Sequence, residues 1–182
     1  MVDDDGRRRR GTHGQADDAR EREVDADARA LASVLRVRIL RLCLDRPLTN
    51  KEIAARLGRD PGTVYHHVRT LAERGFLAPQ AERRGPRGSR EVPYLATGKS
   101  WRTPMGPAGH RVLLETFLEE LAEADPATVQ TSRLGLRLDG AAYEALLRRM
   151  GDLLQEYADR PPDPDGTPYS IFLAIHEDAA RR

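Results

Sequence analysis

Residues 48–77, LTNKEIAARLGRDPGTVYHHVRTLAERGFL, constrain the fold more than any other stretch of the chain. Thr49 can cap a helix, and Glu52, three residues on, can reach back to complete a capping box. Ile53, Ala54 and Leu57 follow at helical spacing, and Gly58 ends that helix as a left-handed residue would. Asp60 then caps a second helix with Pro61 at its first position, where a missing N–H costs nothing, and Gly75 closes it. At about 100° per residue, Val64, Val68 and Leu71 share a narrow arc of the second helix. Gly62, His66, Arg69 and Glu73 lie opposite, with Thr63 and Thr70 beside them and Tyr65 on the boundary. Two helices, a tight turn between them and a polar outer face on the second make the pattern that reads a major groove.

The run LRVRILRLCL ahead of this stretch, the word EIAARLG and the word TVYHHVRTLAERGFL together resemble the ArsR-type winged helix-turn-helix repressors, over roughly residues 26–101. The resemblance implies a DNA-binding regulator. It places Thr63, Tyr65, His66 and Arg69 where the family's recognition helix meets bases and backbone. Thr49, Asn50 and Lys51 begin the supporting helix, where backbone N–H groups and a lysine can clamp a phosphate. Many members of the family sense thiophilic metals through cysteines on that helix; here it reads NKEIAARLG, so no metal site is carried over. His66 points outward and can donate to a base edge or phosphate. His67 turns partly inward beside Val64 and Leu71, and the two neighbouring rings diverge too far to share a metal easily.

Residues 26–44 form a helical region with an apolar stripe of Leu31, Val34, Leu35, Ile39, Leu42 and Cys43, in one helix or in two broken near Arg36. Each buried Leu or Ile there contributes about 1.5–3 kcal/mol. Cys43 lies in the stripe and reads as an inert buried thiol. Residues 76–81 and 91–97 read as two short strands, joined by the loop ERRGPRGSR. That hairpin is a wing carrying Arg83, Arg84, Arg87 and Arg90, suited to phosphate contact and to a narrow minor groove. Pro79 and Pro93 fit an edge or irregular ribbon.

Residues 98–109, GKSWRTPMGPAG, form a linker that Trp101 anchors against one of its neighbours. Residues 110–124 are an amphipathic helix with Leu114, Phe117, Leu118 and Leu121 on one face, open to a dimer contact or to packing on its own chain. Glu115, Glu119, Glu120 and Glu123 line its outside as a solvated face. The last segment reads strand, helix, strand. Leu134, Leu136 and Leu138 alternate with Arg133, Gly135 and Arg137; a helix runs from Asp139 to about Asp159; YSIFLAIHED is a nearly continuous apolar strand. The fold class is therefore α+β: a charged disordered tail over 1–24, a winged helix-turn-helix domain over 25–101, and a small α/β dimerisation or sensing domain over 102–182.

Charge separates these parts. Residues 26–103 carry 16 basic and 7 acidic side chains, a net of +9, whereas residues 104–182 carry 8 and 14, a net of −6. The middle of the chain is drawn to phosphate and the end is held away from it. Of 30 basic residues only Lys51 and Lys99 are lysines, the bias of a GC-rich bacterial genome, so arginine abundance alone says little. One cysteine excludes a disulfide scaffold and a multi-thiolate zinc site. No apolar run reaches membrane-spanning length and MVDDDGRRRRG is no secretory signal, so a cytoplasmic protein with no membrane partner is expected.

No phosphate loop, nucleophile elbow or HExxH is present, so no enzyme and no cofactor are expected. The reading is a sequence-specific transcriptional regulator, a repressor, acting as a homodimer on double-stranded DNA, with a small-molecule effector open. The rival is a winged-helix protein-interaction module that never touches DNA; it needs an exposed apolar patch on the second helix or wing.

Overall fold

A computed structural model describes residues 5–85 and 88–181, with side chains from residue 17 onward. The chain forms two compact units, Met1–Glu123 and Ala124–Arg182. The first is a winged helix-turn-helix of mixed helix and sheet.

Its N-terminal helix α1 spans Asp5–Leu31, where the sequence reads as a disordered tail to residue 24. Charge blocks that look solvated in sequence find partners here. Arg74 reaches Glu23 Oε1 at 2.9 Å and Asp27 Oδ1 at 2.6 Å, and Lys99 Nζ meets Asp27 Oδ2 at 2.6 Å. Ala30 and Leu31 enter the core. Helix α2, Val34–Leu42, begins at Ser33, whose Oγ accepts from Arg36 N–H, so the break falls three residues before Arg36. The Arg36 guanidinium turns back to the carbonyls of Ala30 and Arg29 at the end of α1, the second of which also accepts from Ala32 N–H.

Strand β1 (Leu48–Thr49) leads into α3 (Asn50–Leu57), and α4 (Pro61–Glu73) follows. The capping box at Thr49 and Glu52 is present, and the Asp60 carboxylate accepts from Gly62 and Thr63 N–H at 2.8 and 3.0 Å. Gly58 closes α3 at φ 59°, a conformation costly to any residue with a Cβ. At the end of α4, Gly75 sits at φ 71° while Phe76 N–H returns to Leu71 O and Gly75 N–H to Ala72 O, the paired bonds of a Schellman motif. Ile39, Cys43, Ile53, Val64, Val68, Leu71 and Phe76 make one core with Leu48 and Leu77. The helical spacing of these residues thus faces inward as read.

Strands β2 (Leu77–Pro79) and β5 (Pro93–Ala96) form the base of the wing, and β1 pairs with the far side of β5, giving an antiparallel sheet of order β1-β5-β2. Leu48 faces Tyr94, and Ala78 faces Leu95. Pro93 therefore opens the central strand rather than an edge, a position that asks no ladder donor of it. Beyond it a second ribbon pairs β3 (Arg83–Arg84) with β4 (Arg90–Glu91). A short α5 (Lys99–Arg102) leads to α6 (Pro107–Glu123). Trp101 is 54% exposed, so it does not anchor the linker by burial.

Helix α6 packs on α2 of its own chain, and its acidic row is not simply solvated. Arg38 Nη2 meets Glu123 Oε1 at 2.8 Å and its Nη1 meets Glu119 at 3.5 Å, while Arg41 Nε meets Glu120 Oε1 at 2.8 Å. Leu114 and Leu118 remain exposed.

In the second unit, α7 (Gly140–Ala158) stands where the sequence places a helix, with Asp139 accepting from Ala142 N–H at 2.8 Å. The strand–helix–strand reading is corrected at its two flanks. Among the described residues no strand forms in this unit, and the segments around Leu136 and Ile171 lack ladder partners. Alternation marks a segment suited to a sheet, but a ladder also needs a second backbone beside it.

Candidate nucleic-acid interface

The outer face of α4 is built by its inner one. Val64, Val68 and Leu71 are at most 1% exposed, which fixes the rotation of the helix and leaves Thr63, Tyr65, His66 and Arg69 on the solvent side. Tyr65 is half exposed, and its ring meets that of His66 edge-on with centroids 5.8 Å apart. Thr70 Oγ1 donates to His66 O within the helix. Arg69 Nε reaches Glu73 Oε1 at 2.6 Å, an i,i+4 pair on the exposed face. An exposed pair of this kind is screened by solvent and weak, so a guanine edge that takes the guanidinium in two hydrogen bonds can outcompete Glu73.

His67 is half-buried on the inner shoulder of α4. Burial, then the charges of Arg36 and His66, push its imidazole below the usual histidine range, so it stays neutral near pH 7 and serves packing. Cys43 is fully buried; desolvation, partly opposed by the Arg56 charge, raises its thiol to about 11. No thiolate forms near neutrality.

The start of α3 divides by role. Thr49 is 3% exposed; its hydroxyl donates to Glu52 Oε2 at 2.9 Å and accepts from Glu52 N–H. Asn50 Nδ2 donates to Pro61 O at 2.8 Å, which ties the start of α3 to the start of α4. Both side chains hold the turn together, and the Asn50 Oδ1 atom is buried without a hydrogen-bond partner. Lys51 is exposed, with Nζ 2.8 Å from Glu91 Oε1 on β4.

On the wing, Arg83 Nη2 lies 2.6 Å from Glu52 Oε2, Arg84 is exposed, and Arg90 Nη1 stands 3.8 Å from Glu82. Arg87 lies outside the described residues. Glu82, Arg83, Arg84, Gly88 and Arg90 line a shallow cleft of about 310 Å³. Hydrogen bonds from the Thr49 backbone hold the Glu52 carboxyl below its usual range against the opposing effect of burial; the Thr49 hydroxyl and Arg83 add to them. Glu52 therefore joins β1, α3 and the wing, a role that the capping-box spacing only half discloses. Among the described residues Glu73, Glu82 and Glu91 also face interface cations. Only Glu73 has a sequence signal, its i,i+4 spacing from Arg69.

Among the described residues no group of three His, Cys, Asp or Glu side chains is placed to hold a metal ion. No described helix is long and apolar enough to cross a membrane.

The model of a family described as a helix-turn-helix domain matches residues 31–80. Among solved structures the chain is similar to reduced HlyU from Vibrio cholerae N16961, at 19% identity over 57% of this chain and 96% of that one, with a TM-score of 0.40. It is also similar to a MarR-family transcriptional regulator from Rhodococcus sp. RHA1, at 17% identity over 79% and 89% of the two chains, with a TM-score of 0.33. No curated protein matches the sequence. The matched residues run from the end of α1 to the strand after α4, so the segment that builds the outer face described above is a helix-turn-helix domain.

Proposed function

We propose that the chain is a sequence-specific DNA-binding transcriptional regulator, a repressor of the ArsR type, working as a homodimer on an inverted-repeat operator. The observation that carries this reading is the solvent-facing row of Thr63, Tyr65, His66 and Arg69 on α4, held in register by a buried inner face. The helix-turn-helix match over residues 31–80 and the net charge of +9 over residues 26–103 support it.

In this reading α4 enters the major groove with Arg69 and His66 toward base edges. Lys51, Arg83, Arg84, Arg87 and Arg90 hold the phosphate backbone, and Thr49 and Asn50 keep the turn rigid. DNA binding belongs to residues 25–101, and dimerisation or response to a small-molecule effector belongs to residues 102–182. Two-fold symmetry sets the half-sites about one helical turn apart. The protein acts in the cytoplasm with no cofactor and no catalytic role. A protein-interaction module without DNA binding would need an apolar patch on α4 or the wing, and Tyr65 is the one large exposed apolar side chain among the described residues there.

The test is selection of bound fragments from a genomic library, followed by titration of Arg69→Ala and His66→Ala. Arg69→Ala should weaken operator binding about 10–100-fold, and non-operator binding much less. Equal loss on every sequence would remove base reading from Arg69.

A further inference from the structure

The second unit, residues 124–182, has no buried residue among those described. A unit of about 60 residues is marginal even with a good core, and this one has none of its own. Its apolar residues are nevertheless ordered by pattern. Leu134, Leu136 and Leu138 stand at alternate positions of one extended segment, exposed by 79, 48 and 43%. Tyr169, Ile171 and Leu173 do the same on another, at 85, 77 and 48%. Helix α7 adds exposed Leu153 and Tyr157. Rows of period 2 are what a half-buried sheet shows, yet neither segment is paired in a ladder. Arg137 Nη2 of the first donates to Arg181 O at 3.1 Å, in the short helical turn that follows the second.

We propose that a second copy of this chain covers this face. Residues 133–138 and 169–176 of each copy pair into one shared sheet, and the α7 helices of both copies lie on it. The inference rests on the homodimer of the proposed function and supplies its surface; it does not require DNA binding.

Three observations select a second copy. First, the exposed large apolar side chains of the unit, at about 150–250 Å² for an aromatic and somewhat less for an aliphatic, present roughly 1,000 Å². A standard interface takes about 800 Å² from each partner. Second, two segments from one chain make at most a two-stranded sheet, which is not stable alone; two copies supply four strands. A segment paired with its own image across a two-fold axis runs antiparallel, so its apolar row meets itself. Third, the first segment bears Arg133 and Arg137 on its other row, and Asp178, just past the second segment, stands on the corresponding row of that one. Opposite charges therefore meet when the first segment of one copy lies along the second of the other.

The experiment measures the mass of the full chain in solution, without DNA, together with residue-resolved amide exchange. The expected mass is about 41 kDa, twice the 20.4 kDa of one chain, with slow exchange in both segments. The double variant Leu136→Asp with Ile171→Asp should fall to the monomer mass and lose protection in both segments, while α2 and α4 keep theirs. A monomeric wild-type chain, a dimer that survives the double variant with both segments unprotected, or a monomer with both segments protected would each overturn the proposal. If the double variant loses α4 protection as well, the wild-type mass and exchange pattern decide. A monomer that still selects an operator sinks the proposal and spares the DNA reading; a dimer with protected segments that binds no DNA does the reverse.

Discussion

At the residue scale, Asp27 shows how a charged side chain becomes part of the fold. It is 6% exposed, near the end of α1 and just past the stretch that reads as a tail. Burial alone would raise its carboxyl, but hydrogen bonds from Lys99 and Arg74, and their charges, hold it below the usual carboxylate range. A folded-state value below the unfolded one means stability that is present above about pH 4 and is lost as pH falls through the folded value. Asp27→Asn should therefore lower the urea midpoint of the winged unit at pH 6–7, and the two curves should converge as pH drops below about 4. Urea titrations across that range check this. Lys99 has a second hold, since Nζ lies 4.8 Å above the Phe76 ring and donates to Arg74 O.

At the element scale, the ends of the two helices of the motif are set by local devices. Asp60→Ala removes two hydrogen bonds from the start of α4 and should cost about 1 kcal/mol. Gly58→Ala places a Cβ at φ 59° and should cost about 1 kcal/mol, although no atom lies within 4 Å of the new carbon. Chemical denaturation resolves both. The wing answers to a different measurement. Replacing Arg83, Arg84 and Arg87 together by alanine should weaken operator and non-operator binding alike. The slope of log affinity against log salt should fall by about 0.9 for each phosphate that the variant no longer neutralises, which titrations at several salt concentrations read directly. Both helices of the motif and their boundaries are legible in the sequence because caps, a proline at the first position and glycines with positive φ are local devices. The second ribbon is not, because Arg83–Arg84 and Arg90–Glu91 carry no alternation to betray it.

At the scale of the whole molecule, the core residues all lie in the first unit, from Ala30 to Leu77. Residues 1–123 should therefore fold without the rest, keeping a cooperative thermal transition and the exchange protection of α4. On the dimer reading, the same truncation should reduce operator affinity at least tenfold by uncoupling the half-sites, while non-operator affinity holds or rises as the acidic end is removed. Calorimetry and binding titrations of the shortened chain test the two halves of this expectation separately. Helix α6 packs on α2 in the first unit, with Arg38 and Arg41 pairing its glutamates.

Short-range chemistry alone determined the motif at 48–77, the face that α4 turns outward and the inert surroundings of Cys43. Each follows from spacings of a few residues along one helix. Tertiary structure alone decided that α1 continues through the charged N-terminal blocks, that Asn50 braces the turn, that Pro93 opens a central strand and that the leucine row at 134–138 goes unpaired. These depend on which distant backbone or opposite charge comes alongside, and a linear pattern records the need for a neighbour without naming it.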